Sequence, residues 1–285
     1  DPFMTADTTT NRGWVLRAGV FALLFACGLL VFVPAYTLSQ VLVYVRLGTA
    51  LAFLAAAVLL KRSERLREYW QIPLALGTAA TAMLISAYWG DWLLGVLNVS
   101  QGTAAGLAMT KLSEALWICL AIVAVTVLFG VDMGTVFLKR GKLKQGLLIG
   151  LLAFLLLSVI AIVQANAQGT TLQQLMQLAP RILIFFLANG FMEELLYRGL
   201  FLTRYEPVLG RHLSTLVTAL VFVTIHAQVS YTPSLLPFLI GLFFLALLWG
   251  VLMQRTDSVI GSALFHAGAD TLIILGIFTD FGISF

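Results

Sequence analysis

The chain is built of long apolar runs separated by short polar breaks. A membrane-spanning helix needs about 20 mostly apolar residues. Nine runs meet that requirement, near 14–37, 42–60, 72–95, 112–130, 146–166, 180–203, 213–230, 233–253 and 258–278. Barrel strands would alternate polar and apolar over about ten residues, and these runs are continuous. The pattern therefore predicts an all-α polytopic transmembrane bundle of about eight to nine spans. The first run is too long for a signal peptide and lacks its small-residue cleavage site, so it reads as a retained helix. Pro233 and Pro237 break the chain between the seventh and eighth runs. Thr256-Asp257-Ser258 stands where the ninth helix needs its cap.

The basic residues orient this bundle, because Lys and Arg favour cytoplasmic loops. If nine spans alternate, 13 of the 17 basic residues fall on one side. They are Arg12, Arg17, Lys61, Arg62, Arg65, Arg67, Lys139, Arg140, Lys142, Lys144, Arg204, Arg211 and Arg255. Arg46, Lys111 and Arg181 lie on the other side or at span edges, and Arg198 is inside a span. This predicts a cytoplasmic N-terminus in a multi-pass membrane protein, with the plasma membrane of a prokaryote as the expected location. The Lys61–Arg67 group reads as a topology signal rather than a lipid-headgroup site.

Composition sharpens the class. Of 285 residues, 60% are hydrophobic and 11% charged, against roughly 45–50% and about 25% in soluble domains. A soluble enzyme, a disordered chain and a disulfide scaffold are excluded. Cys27 and Cys119 sit in apolar runs with no Cys/His neighbourhood, as small core residues do. There is no GxxxxGK[ST] loop to suggest a nucleotide-driven pump. Nor is there a basic groove with interleaved aromatics, so no nucleic-acid partner is expected. Asp1-Pro2-Phe3 ahead of Met4 reads as a tag remnant.

Candidate chemistry lies where charge is most costly. Ionisable residues inside a bilayer are rare and usually functional, and here they gather in three late spans. The sixth carries Glu193, Glu194 and Arg198, the seventh His226, and the ninth His266 and Asp270. At about 1.5 Å per residue, Glu193 would lie ~15 Å, His226 ~20 Å, His266 ~12 Å and Asp270 ~18 Å from one membrane face. Residues four apart share a helix face. Glu194 can therefore pair with Arg198, His266 and Asp270 can point at one site, and Phe222 can wall the site beside His226. Glu193 and Glu194 are about 100° apart, so one can face a cavity while the other holds Arg198. A carboxylate in a partly dry cavity beside a second one is tuned toward general-base work near neutral pH. A neighbouring His can orient water or stabilise charge, and a second His with Asp270 can bind a developing oxyanion. The set suits attack on an amide by activated water.

Three motifs carry a resemblance. Glu193-Glu194-Leu195-Leu196-Tyr197-Arg198 is EExxxR, Phe222-Val223-Thr224-Ile225-His226 is FxxxH, and His266-Ala267-Gly268-Ala269-Asp270 is HxxxD. In this order and within spans they resemble the CPBP family, also called Abi or CaaX amino-terminal protease, which includes the Rce1-type prenyl-protein endopeptidases. The resemblance covers roughly 145–278. It implies a glutamate-dependent intramembrane endopeptidase with a cytoplasm-facing cavity. Its substrate would be a lipidated (CaaX-type prenylated) or membrane-inserted protein in the bilayer, and no cofactor would be needed. By position, Glu193 would activate water, His226 would help hold it, His266 and Asp270 would form the oxyanion site, and Glu194 with Arg198 would support them. The chain divides accordingly into a tail at 1–13, accessory transmembrane helices at 14–144 and a CPBP-like core at 145–285. One departure stands out, since the Rce1-type branch usually has Asn where this chain has Asp270. Either Asp270 is protonated or it orients His266.

Other readings remain open. Glu193, His226 and His266, with Asp270, form a plausible zinc set, which would make a metal-dependent version of the same hydrolase. A transporter would show paired half-repeats with broken helices, and none is visible. Some relatives are linked to bacteriocin immunity or act as membrane scaffolds, so a non-proteolytic role is the main non-enzyme alternative. Asp91 and Glu114 read as interfacial, and Asn189 either lines the cavity or bonds another helix. Trp14, Trp70, Trp89 and Trp92 sit at span ends as anchors. Gly190, Gly199, Gly241 and Gly250 would allow close helix approach.

Overall fold

A computed structural model describes residues 7–33, 40–230, 232 and 234–280. The tag remnant at 1–3 and the break at Pro233 fall outside the described residues. The helices are α1 (Asp7–Phe32), α2 (Gln40–Arg62), α3 (Gln71–Trp89), α4 (Trp92–Leu97), α5 (Ala104–Leu128), α6 (Leu143–Ala167), α7 (Leu172–Glu194), α8 (Leu202–Leu209), α9 (Arg211–Ile225), α10 (Leu235–Thr256) and α11 (Val259–Asp280). No strand occurs among the described residues. Eight helical segments are long and apolar enough to cross a membrane. One of them, Leu172–Leu209, joins α7 and α8. The all-helical membrane bundle expected from the pattern is therefore what forms.

The run at 213–230 is the exception among the nine. It forms α9, only 15 residues long. That length is about 22 Å, against a hydrocarbon core of about 30 Å. A tight turn at His226–Gln228 and an extended Val229 end it. The hydroxyls of Ser214, Thr215, Thr218 and Thr224 bond carbonyls one turn back, which satisfies them within the helix.

Helix ends that carry basic residues meet at one end of the bundle. Lys61 Nζ donates to the Phe129 carbonyl at 3.0 Å. Lys139 pairs with Asp257 at 2.7 Å. The Lys142 amide donates to Thr256 O and the Val259 amide to Phe137 O. Arg211 reaches Gln254, and Arg204 and Thr203 reach Thr135. Asp257, in a left-handed conformation, closes the α10–α11 corner.

Two kinds of surface position the core. On α6, Leu148, Leu152, Leu155, Leu156, Val159 and Val163 are exposed, an apolar face suited to lipid. Its opposite face meets α11 almost backbone to backbone, because a Cβ on Gly261 would stand 2.8 Å from Gly146 Cα. Close approach through small residues is the usual way membrane helices associate. Of the four glycines expected to do this, Gly190, Gly199 and Gly250 face neighbours within 3.0 Å of an added Cβ, whereas Gly241 faces open space. Trp14, Trp89 and Trp92 are exposed at span ends. Trp70 is instead half-buried, stacked on Phe129 under Lys61.

Candidate active site

Four helices build the site. α7 brings Asn189, Glu193 and Glu194, the end of α9 brings Phe222 and His226, α10 brings Trp249, and α11 brings His266 and Asp270. Gly190 lets α7 and α11 meet here, since a Cβ on it would stand 2.6 Å from the Ala263 carbonyl and 2.8 Å from the Ala267 amide nitrogen.

The two adjacent glutamates divide as their angular offset requires. The Glu194 side chain is fully buried, while that of Glu193 is 13% exposed and lines the cavity. Oε1 of Glu194 accepts from Arg198 Nη1 at 2.8 Å and from His266 Nδ1 at 2.9 Å. The carboxylate can only accept, so Nδ1 carries a proton. Nε2 of the same ring then points at Glu193 Oε2, 3.4 Å away, and at Asp270 Oδ1, 3.6 Å away. Asp270 accepts from Asn189 Nδ2 at 2.9 Å through its other oxygen. His266 thus stands among three carboxylates, with Glu194 making the closest bond to it. The expected Glu194–Arg198 pair is present, and Glu194 also holds the imidazole.

Past Glu194 the helix widens. Leu195–Gly199 is a π-type turn, and the Leu200 amide donates to Leu195 O at 3.0 Å. Such turns within α-helices are often found at functional sites. Here the turn carries Arg198, fully buried, under the site. The guanidinium carbon lies 4.2 Å from the Phe222 ring centre and 5.3 Å from that of Trp249. A cation over aromatic faces is favourable, more so away from water.

His226 stands where α9 stops. Its Nδ1 is 2.8 Å from the Phe222 carbonyl and donates to it, which leaves Nε2 as an acceptor. Phe222 packs against His226, His266, Trp249 and Tyr197. Trp249 lies flat on the His266 ring, 3.9 Å away and 5° from parallel.

Glu193, His226, His266 and Asp270 all line one cavity of about 420 Å³, with Asn189 and Phe222. All four candidate reactive side chains and the walling Phe222 are therefore together. Asn189 both lines the cavity and bonds another helix, the two alternatives left by the sequence. Glu193 sits farther from the basic end than the run boundaries implied, because α7 continues through the wide turn into α8 and ends at Leu209. The helical rise puts Glu193 about 24 Å from that end rather than ~15 Å. A second cavity of about 340 Å³ meets Glu193 from the α3–α5 side, lined also by Arg46, Tyr88, Asp91, Lys111 and Glu114. Lys111 borders both cavities and pairs with Glu114 at 2.7 Å. Asp91 accepts from Gln101 and Thr110.

The sequence did not point to Trp249 or Lys111. Trp249 is one more apolar residue in an apolar run. Lys111 alone carried a signal, as a cation more than a turn inside α5. Among the described residues, no three His, Cys, Asp or Glu side chains form a metal-holding group.

The fold and site define a polytopic membrane protein with a carboxylate–imidazole centre buried among its late helices. Residues 175–272, which include all three motifs, match the family described as type II CAAX prenyl endopeptidase Rce1-like. This match, over about a third of the chain, supports a likeness of the late helices to the CPBP/Rce1-like family, as the motifs implied. No curated protein and no solved structure matches the chain.

Proposed function

We propose that the protein is an intramembrane endopeptidase in which Glu193 activates water to cleave a peptide bond of a lipidated or membrane-inserted protein. The observation that carries this reading is the cavity where Glu193, His226, His266 and Asp270 converge. Water bound there gives a proton to the Glu193 carboxylate. The Nε2 lone pair of His226 accepts the second water hydrogen and holds the oxygen in place. That oxygen bonds to the scissile carbonyl carbon, and the carbonyl oxygen becomes an oxyanion. His266, protonated on both nitrogens, presents Nε2–H to it, while Asp270, steadied by Asn189, completes that side of the site. Preorganised donors of this kind are often the largest single contribution to catalysis. Collapse of the intermediate breaks the C–N bond, and the proton held by Glu193 passes to the leaving amine. Glu194 and Arg198 act as positioning residues, Glu194 by fixing the His266 tautomer.

The test is cleavage of a farnesylated C-terminal peptide by purified protein, beside Glu193→Gln and His226→Ala, with and without a chelator. The wild type is expected to cut in both conditions, and both variants to be inactive. Glu193→Gln keeps the side chain's size and should remain folded, which melting of the purified variant checks. Activity surviving in Glu193→Gln refutes the assignment. Inhibition by the chelator refutes the metal-free mechanism. No cleavage of any peptide favours the scaffold or immunity role.

A further inference from the structure

The basic helix ends and the cavity mouth lie at opposite ends of the bundle. Neighbouring spans run in alternate directions. The C-terminal end of α1 reaches the level of the site, with Phe32 against Tyr197 and Phe201 and Gly28 against Val221 of α9. Lys61, Arg62, Arg65, Arg67, Lys139, Arg140, Lys142, Lys144, Arg204, Arg211 and Arg255 all belong to the end that holds the α2–α3, α5–α6, α8–α9 and α10–α11 junctions. The opposite junctions at 90–103, 168–171 and 226–234 contain no Lys or Arg.

The site is closed toward the basic end. Phe222 lines the cavity on that side, and Arg198 and Trp249 pack against its ring, all three fully buried. Toward the other end the cavity continues past His226 to Gln228, Val229 and Ser230, and the adjoining cavity reaches Tyr88, Gly90 and Asp91. Helix lengths agree, since α9 stops just before His226 while α10 beside it is longer by about two turns. By helical rise, His226 stands about 22 Å from the basic end and α10 runs about 33 Å, which leaves the site ~10 Å below the opposite face. Cytoplasmic basic loops and a cytoplasm-facing cavity are therefore incompatible in this fold.

The distribution of basic residues is the stronger of the two guides, because it fixes topology during insertion. We propose that the cavity opens on the extracytoplasmic face and takes its peptide from that side. Given the hydrolytic reading above, the substrate class is then the extracytoplasmic flank of a membrane-inserted protein rather than a chain end lipidated in the cytoplasm. The mouth suits an extended segment with apolar side chains, since Phe185, Phe238, Leu242, Ile273 and Ile274 line it with Lys111 at the border.

Sidedness can be read without any cleavage. The full chain is produced in bacterial spheroplasts as Gly102→Cys, Glu64→Cys and Glu193→Cys, and treated with a small, membrane-impermeant cationic thiol reagent. The wild type, with Cys27 and Cys119, sets the background. Gly102→Cys and Glu193→Cys are expected to react in intact spheroplasts, and Glu64→Cys only after permeabilisation. Ser230→Cys replaces Glu193→Cys if that variant does not accumulate. The reverse pattern overturns the proposal. So does a cavity cysteine that reacts only after permeabilisation, or never. The peptide assay on purified protein reads chemistry without sidedness, so either proposal can fail alone.

Discussion

Arg198 supplies the most demanding test of the site's architecture. It is fully buried, 2.8 Å from an equally buried Glu194, and its charge has no route to water. Removing one partner of such a pair leaves the other charge uncompensated and costs about 3–5 kcal/mol. Arg198→Met should therefore lower the folded-to-unfolded ratio by at least about a hundredfold. Glu194→Gln should do the same by stranding the guanidinium. The double variant Arg198→Met/Glu194→Gln removes both charges, and its Gln carbonyl can still accept from His266 Nδ1. Its loss should fall short of the sum of the single losses by about 2–3 kcal/mol, the upper range for groups in direct contact. Denaturation of the four proteins in one detergent, followed by loss of the monodisperse peak after heating, closes the cycle. Additive losses, or an Arg198→Met loss below about 1 kcal/mol, a value typical of exposed pairs, would refute the idea of a buried strut.

The remaining predictions concern the residues around that strut. Trp249→Ala should cost about 3–5 kcal/mol as a buried aromatic deletion and reduce cleavage, while Trp249→Phe, which can still stack on His266, should keep more of both; melting and peptide assays on the two variants decide. Gly190→Val should cost about 1–3 kcal/mol by overpacking and lower the cleavage rate by pushing Glu193 away from His266, whereas Gly241→Val, in open space, should leave both intact. Asp270→Asn should retain cleavage, because the amide can accept from Asn189 and donate to an oxyanion, and Asp270→Ala should lose it. Loss in both would tie the role of Asp270 to its charge.

What the sequence revealed was local. The Glu194–Arg198 pair and the shared face of His266 and Asp270 follow from four-residue spacing within one helix, which needs no tertiary information. The split between Glu193 and Glu194 follows from the same geometry. The Glu194–His266 bond spans 72 positions, and only the approach of α7 to α11 at Gly190 creates it. Trp249 was invisible because hydropathy cannot separate a ring stacked on a buried imidazole from one facing lipid. The short α9 reads in the sequence as a full-length run because its apolar residues continue through Val229, although the helix stops at Ile225. The mouth of the cavity depends on where loops end in space, which no motif records.

The wide turn at Leu195–Gly199 has a consequence for how this chain can change in length. A π-type turn holds one residue more than the α-helical turn it replaces, and one residue is worth about 100° of rotation. α7 and α8 therefore behave as two helices of different phase on one axis. The first is set so that Glu193 meets the cavity, and the second so that Tyr205 and Leu209 are buried in the core. Deleting one residue between 195 and 199 would give a more regular helix and turn one half about 100° against the other. If Glu193 stayed on the cavity, that rotation would carry Tyr205 and Leu209 out of their core positions, so the extra residue keeps two differently phased faces buried at once.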